Sequence, residues 1–510
     1  MSEILFHYVK VFPTTWAYLS SLLMIGLFFK FNRFWSVRNA DLMLLILLAP
    51  GLLLAHFGQI KVGDAQKKAK LDAATPPSST GAVGAATLPA PGSKIDPELK
   101  QGRDIRWLGF LWLFVVGILL LLRLLIDPTM VRRPLLEPNL STGGLTFIGC
   151  SLFVFLMANV ITSSNEAGDV ATDARVEPAL NEQDPQDPLA DESRQSHGPG
   201  YLLLSMLPKF VTMPISDHEH AQTQGLNTTA KLMLILSHLL IVLGMVTIGY
   251  RHFGNLQMGI GAATMYLMLP YTALMTGRID HAAPGALLIW AIACYRRPLM
   301  AGICLGLAGG MIYYPLFVLP LWVSFYWQRG LRRFILGLIC ALSVMVLGLA
   351  ISHFAGVVIP GVAAGATFLE KLVTMFGIWS PRMSGLEGVW IDGTWDPIYR
   401  TPVIFAFIAL AGTFAIWPAQ KNLGTLLSCS SALMVAAQCW HGFGGGLFMA
   451  WYLPLLLMTF FRPNLEDRVA LKVLSESWFP KKRIDAIAAA LLLAVGSCYW
   501  LVNAGPRSLL

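Results

Sequence analysis

The sequence predicts an all-α, polytopic integral membrane protein with about 13 to 14 transmembrane helices. Its 510 residues are 55% hydrophobic and only 13% charged, whereas about 25% of the residues in soluble domains are charged. Apolar runs of about 17 to 25 residues, long enough to cross a hydrocarbon core, recur along the whole chain. Lys and Arg cluster in the short connections between these runs, a pattern typical of cytoplasmic loops of membrane proteins.

The apolar runs define the expected spans. They cover residues 14–30, 41–57, 107–126, 143–162, 230–250, 256–276, 281–295, 298–311, 313–327, 333–353, 401–417, 423–440, 444–461 and 484–503. The basic turns between them all fall on one side of the membrane if both chain termini lie on the other side. These turns contain Lys30, Arg33 and Arg38; Arg123, Arg132 and Arg133; Arg251; Arg296 and Arg297; Arg329, Arg332 and Arg333; Lys421; and the segment from Arg462 to Arg483.

Two neighbouring runs leave an alternative open. Residues 298–311 and 313–327 are short, so they form either two crossings or one long broken helix. The basic turn at Arg329 favours two crossings, because a single broken helix would reverse the side of everything that follows.

Charge and cysteine content exclude several classes of function. The net charge of +8 comes from the basic turns, so it does not indicate a nucleic-acid partner. All seven cysteines lie within or beside apolar runs, and none forms a CxxC pair, which argues against a zinc site and a disulfide framework. The first apolar run follows Lys10 without a small-residue cleavage motif, so we expect a retained span and no removed signal peptide.

Three long polar segments are expected on the outer side. The first is rich in Ala, Pro, Gly and Ser, which predicts a flexible loop. The second begins acidic and contains an apolar run, Tyr201–Leu207, too short to span and therefore expected at the interface. The regions are N-terminal helices 1–162 with the flexible loop 58–106, the acidic loop 163–229, a core bundle 230–353, a Trp-rich loop 354–400 and C-terminal helices 401–510.

One compact charged turn lies in the central stretch from Leu267 to Arg333. It reads Arg278-Ile279-Asp280-His281 and joins two apolar runs on the outer side. The guanidinium of Arg278 presents a planar fork of donors that suits a lipid phosphate. Asp280 or His281 would orient this arginine or hold a hydroxyl. The alternative is a solvated turn whose charges cap the helix that contains Pro284.

Two acidic segments of the second loop carry candidate catalytic groups. Asp217-His218-Glu219-His220 is the densest group of metal-ligand types, and it would bind a divalent metal or supply a general base from a carboxylate. Its alternative is a plain polar loop. Asp169 follows directly on the span ending near Thr162, at a depth where a carboxylate faces a site at the membrane surface, whereas the rest of the acidic run is typical of a solvated linker.

The Trp-rich loop is the third candidate region. It contains Trp379, Trp390 and Trp395 together with Arg382, Asp392, Asp396 and Arg400. Indole rings would stack on sugar faces while carboxylates bind hydroxyls, or the same tryptophans form an interfacial aromatic belt. His441 lies in a following outer turn, where a structural role is favoured.

The central stretch resembles a known family. Its short outer turn Gly277–Pro284 is followed by Tyr295-Arg296-Arg297-Pro298, by the small-residue helix Met300–Ala308 and by Tyr313-Tyr314-Pro315. This order is similar to that of polyprenyl-phosphate-dependent glycosyltransferases of the GT-C fold, especially the bacterial mannosyltransferase-like group. The sequence departs from that pattern at Ile312 and Tyr313, where the family often has Lys before Tyr-Pro.

The resemblance implies a GT-C-like core that transfers a hexose, mannose for instance, at the outer face of a bacterial cell membrane. A polyprenyl phosphate carries the donor sugar, and an acidic residue of a large outer loop acts as base. The candidates for this base are Asp169 and Asp217. Arg278 would bind the lipid phosphate with help from His218 or His281, and Trp390, Asp392, Trp395 and Arg400 would contact the sugar.

Two other function classes stay open. A transporter or flippase needs charged or broken helices near the membrane midplane, and a non-catalytic scaffold needs only outer loops that bind a partner. The predicted spans hold almost no ionisable residue at mid-depth, which favours chemistry at the membrane surface. The expected partners are the lipid-linked donor and membrane lipids, and the only cofactor expected is a divalent metal at residues 217–220.

Overall fold

The computed structural model describes residues 12–74, 97–130, 136–162, 219–327, 329–354, 367–376, 386–391, 395–419, 421–442 and 447–463. Regular structure in these ranges is helical, without a strand. By length and composition, 6 of the helices could cross a membrane, and shorter apolar helices accompany them. The chain is therefore an all-α, multi-pass membrane protein, as its hydropathy predicts.

The described α-helices are numbered in chain order. They are α1 (Pro13–Phe28), α2 (Val37–Ile46), α3 (Leu48–Ala74), α4 (Pro97–Ile126), α5 (Thr142–Thr162), α6 (Glu219–Ile248), α7 (Leu256–Met268), α8 (Pro270–Leu274), α9 (Ile279–Ala293), α10 (Pro298–Met311), α11 (Leu319–Tyr326), α12 (Leu331–Phe354), α13 (Phe368–Met375), α14 (Arg400–Ile416), α15 (Leu423–Trp440) and α16 (Leu453–Phe461). Proline stands in the first turn of several of them, where its missing N–H costs least.

Helix α15 lies at the centre of the bundle. Within the protein, 94% of this helix is buried, against 22% of the span formed by α5, which faces outward. Small and polar residues allow its neighbours to pack closely, and the indole Nε1 of Trp322 donates to Ser430 Oγ at 3.0 Å. A central helix of this kind fixes the positions of the residues at both of its ends.

Helices α10 and α11 form a hairpin and are not one long broken helix. The chain turns at Ile312 and Tyr313 and then continues as a 3-10 turn, Tyr314–Val318, into α11. The hairpin returns to its starting level, because the Tyr326 hydroxyl donates to the Tyr295 carbonyl at 2.6 Å. The chain therefore reverses direction here, and the two crossings of the membrane stay a prediction.

The described parts of the basic turns meet at one end of the bundle, called here the basic face. A chain of hydrogen bonds joins them one to the next. It comprises Asn39 to Lys30 (3.0 Å), Asn139 to Phe29 (3.1 Å), Gln257 to Leu140 (2.9 Å), His252 to Ala293 (2.8 Å), and Arg329 to Lys421 (3.1 Å), each side chain donating to a backbone carbonyl. This agrees with the prediction that these turns share one side.

A buried ion network ties the helix ends together on the basic face. The guanidinium of Arg123 donates two hydrogen bonds to the Asp41 carboxylate, of 2.6 and 2.9 Å, and one to Asp127 at 3.3 Å. Arg462 donates to the other oxygen of Asp127 at 2.6 Å. A Cβ at Gly424 would fall on the Arg462 guanidinium, so glycine at this position makes room for the network.

The opposite end of the bundle is called here the site face. Helices α3 and α4 extend beyond the bundle on this side as an antiparallel pair, since 27 and 30 residues exceed the length needed to cross a membrane. The amine of Lys61 donates to the Gln101 side chain at 3.3 Å across this pair. The predicted flexible loop 58–106 is therefore wrong at both ends, which are helical to Ala74 and again from Pro97.

Candidate functional site

Helices α8 and α9 position the charged turn that the sequence singles out. The predicted single span 256–276 breaks at Leu269 and Pro270, so α7 ends and the short α8 leads into the turn. Arg278 is the residue before α9, and Asp280 lies in the first turn of that helix. A carboxylate there is favoured by the positive end of the helix dipole.

A proline inside α9 creates an anchoring point for a distant segment. Pro284 has no N–H, so the carbonyl of Asp280, four residues earlier, loses its helical partner. The indole of Trp451 fills that vacancy, with Nε1 donating to the Asp280 carbonyl at 3.1 Å. The adjacent Gly285 has no room for a side chain, because a Cβ there would fall on the Ala450 carbonyl. The 3-10 turn Met449–Trp451 therefore lies directly against α9.

Arg278 and Asp280 form a planar, two-bond ion pair. Nε of Arg278 donates to one carboxylate oxygen at 3.1 Å and Nη2 to the other at 2.9 Å. The carboxylate is 1% exposed, while the arginine side chain is 35% exposed. Asp280 therefore holds the guanidinium from below, and part of the cation stays accessible from the site face.

The imidazole of His281 lies beneath this pair. Its Nδ1 is 2.5 Å from the hydroxyl of Tyr271, and its Nε2 is 3.8 Å from the Asp280 carboxylate. The ring packs on Phe448, with centroids 4.5 Å apart. His281 is 4% exposed, so it acts on the turn from inside and is not a surface ligand.

A second histidine supports the turn from α6. One ring nitrogen of His238 lies 3.2 Å from the Tyr266 hydroxyl, and the other lies 3.2 Å from the backbone carbonyl of Thr276. Thr276 immediately precedes the charged turn. His238 therefore fixes the backbone from which Gly277 and Arg278 follow.

Arg400 belongs to the same face but is buried. It begins α14, is 2% exposed, and its Nε donates to the Trp440 carbonyl at 2.7 Å.

The ring of Tyr314 packs on His441 with centroids 4.6 Å apart, and His441 packs in turn on Phe448 at 4.8 Å. Phe448 thus contacts both His281 and His441.

The described part of the Trp-rich loop packs against the C-terminal end of α15. Trp390 is 6% exposed and donates through Nε1 to the Cys439 carbonyl at 2.9 Å. Glu387 pairs with Arg106 at 3.4 Å and donates its backbone N–H to the Gly442 carbonyl at 2.8 Å. An exposure this low argues against Trp390 stacking openly on a sugar, whereas Trp395 is 44% exposed.

A small cavity of about 30 Å³ lies between α4, the end of α15 and the turn before α16. Most of its wall is apolar or aromatic. Gln438 contributes to the wall, and its Oε1 is buried without a hydrogen-bond donor among the described residues. The lining residues are Phe110, Leu113, Phe114, Gly117, Val389, Trp390, Val435, Gln438, Cys439, His441, Met449 and Tyr452.

Several predicted site residues lie outside the described residues. These are Asp169, Asp217, His218 and Asp392, and for Glu219 and His220 only the backbone at the start of α6 is described. Within the described ranges, no group of three or more His, Cys, Asp or Glu side chains is arranged to hold a metal ion. The predicted base and the predicted metal site therefore stay predictions.

Long-range packing adds residues that sequence reasoning missed. Trp451, His238 and Tyr271 all support the charged turn, and Gln438 lines the cavity. One signal was available, because a proline inside a helix leaves a carbonyl in need of a donor. Its donor, Trp451, is far away in the sequence, and the local pattern does not identify it.

Comparison with protein-family models, with curated proteins and with solved structures finds no match for this chain.

Proposed function

We propose that this chain is a membrane glycosyltransferase that moves a hexose from a polyprenyl phosphate to an acceptor at the site face. By the positive-inside rule, the basic face is cytoplasmic and the site face is the outer face of the membrane. We further propose a GT-C-like core and a location in a bacterial cell membrane, as the sequence resemblance implies.

The observation that carries the proposal is the Arg278–Asp280 pair. Asp280 uses both oxygens to fix the guanidinium plane, while the side chain of Arg278 stays 35% exposed on the site face. Preorientation of this kind reduces the entropy lost when an arginine binds a phosphate. A guanidinium at the membrane surface matches the charge and the depth of a lipid phosphate.

The proposed reaction is a substitution at the anomeric carbon of the donor sugar. The acceptor hydroxyl oxygen forms a bond to the anomeric carbon of the sugar, and the bond from that carbon to the phosphate oxygen breaks. The phosphate leaves with the electron pair, and Arg278 stabilises the negative charge that develops on it. The proton of the acceptor passes to a general base, for which Asp169 and Asp217 are the predicted candidates.

The test is consumption of radiolabelled polyprenyl-phosphate mannose or glucose by membranes that contain the overproduced chain. Arg278→Ala should lower consumption by about 100-fold, because a charged hydrogen-bonded contact to the leaving phosphate is lost. Arg278→Lys should retain a minor fraction, since the charge remains without the planar fork.

Arg103→Ala is the matched control, because Arg103 is an exposed arginine on the helix pair that projects from the same face. It should consume both donors at the wild-type rate. Consumption no greater than that of membranes lacking the chain would refute the proposal, and normal consumption by Arg278→Ala would refute the role of Arg278.

A further inference from the structure

Three connections on the basic face use arginine as their only charged residue type. Residues 249–257, 293–300 and 326–333 contain six arginines and no Lys, Asp or Glu. Membrane topology needs only positive charge, which lysine supplies as well as arginine. Arginine adds a planar fork of donors that matches the oxygens of a phosphate. The use of arginine throughout therefore indicates a phosphate-bearing ligand. The six residues are Arg251, Arg296, Arg297, Arg329, Arg332 and Arg333.

Two of these connections lie side by side. The imidazole Nε2 of His252 donates to the Ala293 carbonyl at 2.8 Å, and the His252 ring packs edge-on against Tyr295 with centroids 4.8 Å apart. These contacts place Arg251, which follows α6, beside the Arg296-Arg297 pair, which precedes α10. Three arginines from two separate connections are thereby brought together.

The three arginines share one electrostatic environment. Each of them is exposed on the basic face. Arg251 and Arg297 both act electrostatically on the Cys294 thiol. Arg251 and Arg296 both act on the His252 imidazole. Like charges held this close repel one another, so an anion bound among them would stabilise the arrangement.

Tyr295 orients one of these cations. Arg296 Nε donates to the Tyr295 hydroxyl oxygen at 3.1 Å, and the guanidinium carbon lies 5.7 Å from the centroid of the same ring. Tyr295 is itself 7% exposed, so its position is fixed by packing. On the site face, a carboxylate orients Arg278 and offsets part of its charge. The neutral phenol of Tyr295 orients Arg296 and leaves its full charge to attract an anion.

Exposed apolar side chains adjoin the arginines. Tyr250 is 66% exposed and precedes Arg251, while Leu299 and Met300 are 39 and 43% exposed in the first turn of α10. Such side chains can pack on an acyl chain, whereas a soluble phosphate would make no use of them. The ligand that fits both the arginines and their apolar neighbours is a lipid with an acidic headgroup.

We propose that Arg251, Arg296 and Arg297 bind the phosphate of an anionic phospholipid, such as phosphatidylglycerol, in the cytoplasmic leaflet. The basic face is cytoplasmic by the positive-inside rule, so the headgroups of that leaflet lie at the level of these connections. Basic pockets between transmembrane helices on this side hold acidic headgroups. The bound lipid joins the α6–α7 connection to the α9–α10 connection, at the end of the bundle opposite the Arg278 turn.

The test is native mass spectrometry of the purified full chain in a neutral detergent. The protein is titrated with phosphatidylglycerol or with phosphatidylcholine of the same acyl chains, whose choline cation offsets the phosphate charge. Phosphatidylglycerol should bind about tenfold more tightly, because arginines at a membrane surface favour the lipid with net negative charge. Equal affinity for the two lipids would overturn the proposal, and this comparison needs no variant.

Paired variants locate the site. Arg296→Gln together with Arg297→Gln should abolish most of the tenfold preference. Arg332→Gln together with Arg333→Gln is the matched control, since it removes two adjacent exposed arginines from the same face, and it should keep the preference. Arg296→Lys together with Arg297→Lys retains the charge and should lower the affinity by about threefold. An equal loss in the two glutamine pairs, or wild-type affinity in the lysine pair, would overturn the assignment.

Two further arms separate this site from other sources of binding. An excess of glycerol phosphate, which has the phosphate without acyl chains, should leave the lipid bound, and its displacement of the lipid would overturn the assignment to a phospholipid. Arg278→Ala should keep the full preference for phosphatidylglycerol, and its loss there would place the lipid on the site face. The result is independent of sugar transfer, because phosphatidylglycerol is not the donor.

Discussion

Two ion clusters stand at opposite ends of the bundle, and they differ in how completely each is closed. On the basic face, Asp127 is shared by Arg123 and Arg462, and the side chains of these three residues are 0, 13 and 7% exposed. On the site face, Asp280 is 1% exposed, but its partner Arg278 is 35% exposed. The first cluster joins α4 to the end of α16, whereas the ion pair of the second joins two residues of the same turn.

This difference separates a structural network from a candidate site. Buried charges joined across distant helices are costly to break, since each loss leaves an uncompensated partner. A partly exposed arginine that a neighbouring buried carboxylate orients is placed to bind a group from outside. We therefore expect damage to the basic face to reduce stability first, and damage to the site face to reduce function first.

The largest effect is expected for Asp127→Ala. It removes the carboxylate that both Arg123 and Arg462 contact, and it should lower the free energy of unfolding by about 3–5 kcal/mol. Thermal unfolding of the purified protein in detergent measures this loss, with Asp104→Ala on an exposed part of α4 as the control. A melting temperature equal to that of the control would mean that the network is not structural.

A smaller effect on stability is expected for Arg278→Ala, by about 1–2 kcal/mol. Asp280 loses its main cation but keeps its position at the N-terminus of α9 and the nearby His281. The same thermal measurement should therefore place this variant between the wild type and Asp127→Ala. Destabilisation as large as that of Asp127→Ala would erase the distinction between the two clusters.

The smallest effect is expected for Trp451→Phe, which keeps the ring packing and removes the donor to the Asp280 carbonyl. It should cost about 1 kcal/mol, the value of one hydrogen bond. Trp322→Phe, which loses the bond to Ser430, is a matched change away from the site. Only Trp451→Phe should also lower donor consumption, and equal consumption by both variants would separate this tryptophan from the site.

Much of the fold could be predicted because its signals are local. Apolar runs and basic turns are read directly along the chain, and Arg278, Asp280 and His281 are sequence neighbours. The predicted loop 58–106 has helical ends because Ala, Lys and Gln favour helices there. Pro and Gly dominate only the middle of the segment, and the composition of the whole segment conceals this difference.

The supporting residues of the site could not be predicted for the opposite reason. Trp451 meets Asp280, Arg400 meets Trp440 and Glu387 meets Arg106 only through packing of distant helices. Trp390 also shows the limit of prediction from sequence. The composition of its loop indicates sugar stacking, whereas in the structure Trp390 is buried and its indole N–H donates to the Cys439 carbonyl. Asp41 and Asp127 appear in the sequence as isolated charges, and only the fold joins them to Arg123.

The most direct test of the central claim is binding of polyprenyl phosphate to the purified chain, measured by native mass spectrometry with wild type, Arg278→Ala, Arg278→Lys and Arg103→Ala. We expect Arg278→Ala to weaken binding by about 10- to 100-fold, the value of one charged hydrogen-bonded contact. Arg278→Lys should weaken it less, and Arg103→Ala should bind like the wild type. Equal affinity in Arg278→Ala and wild type would contradict the claim that this turn holds a lipid phosphate.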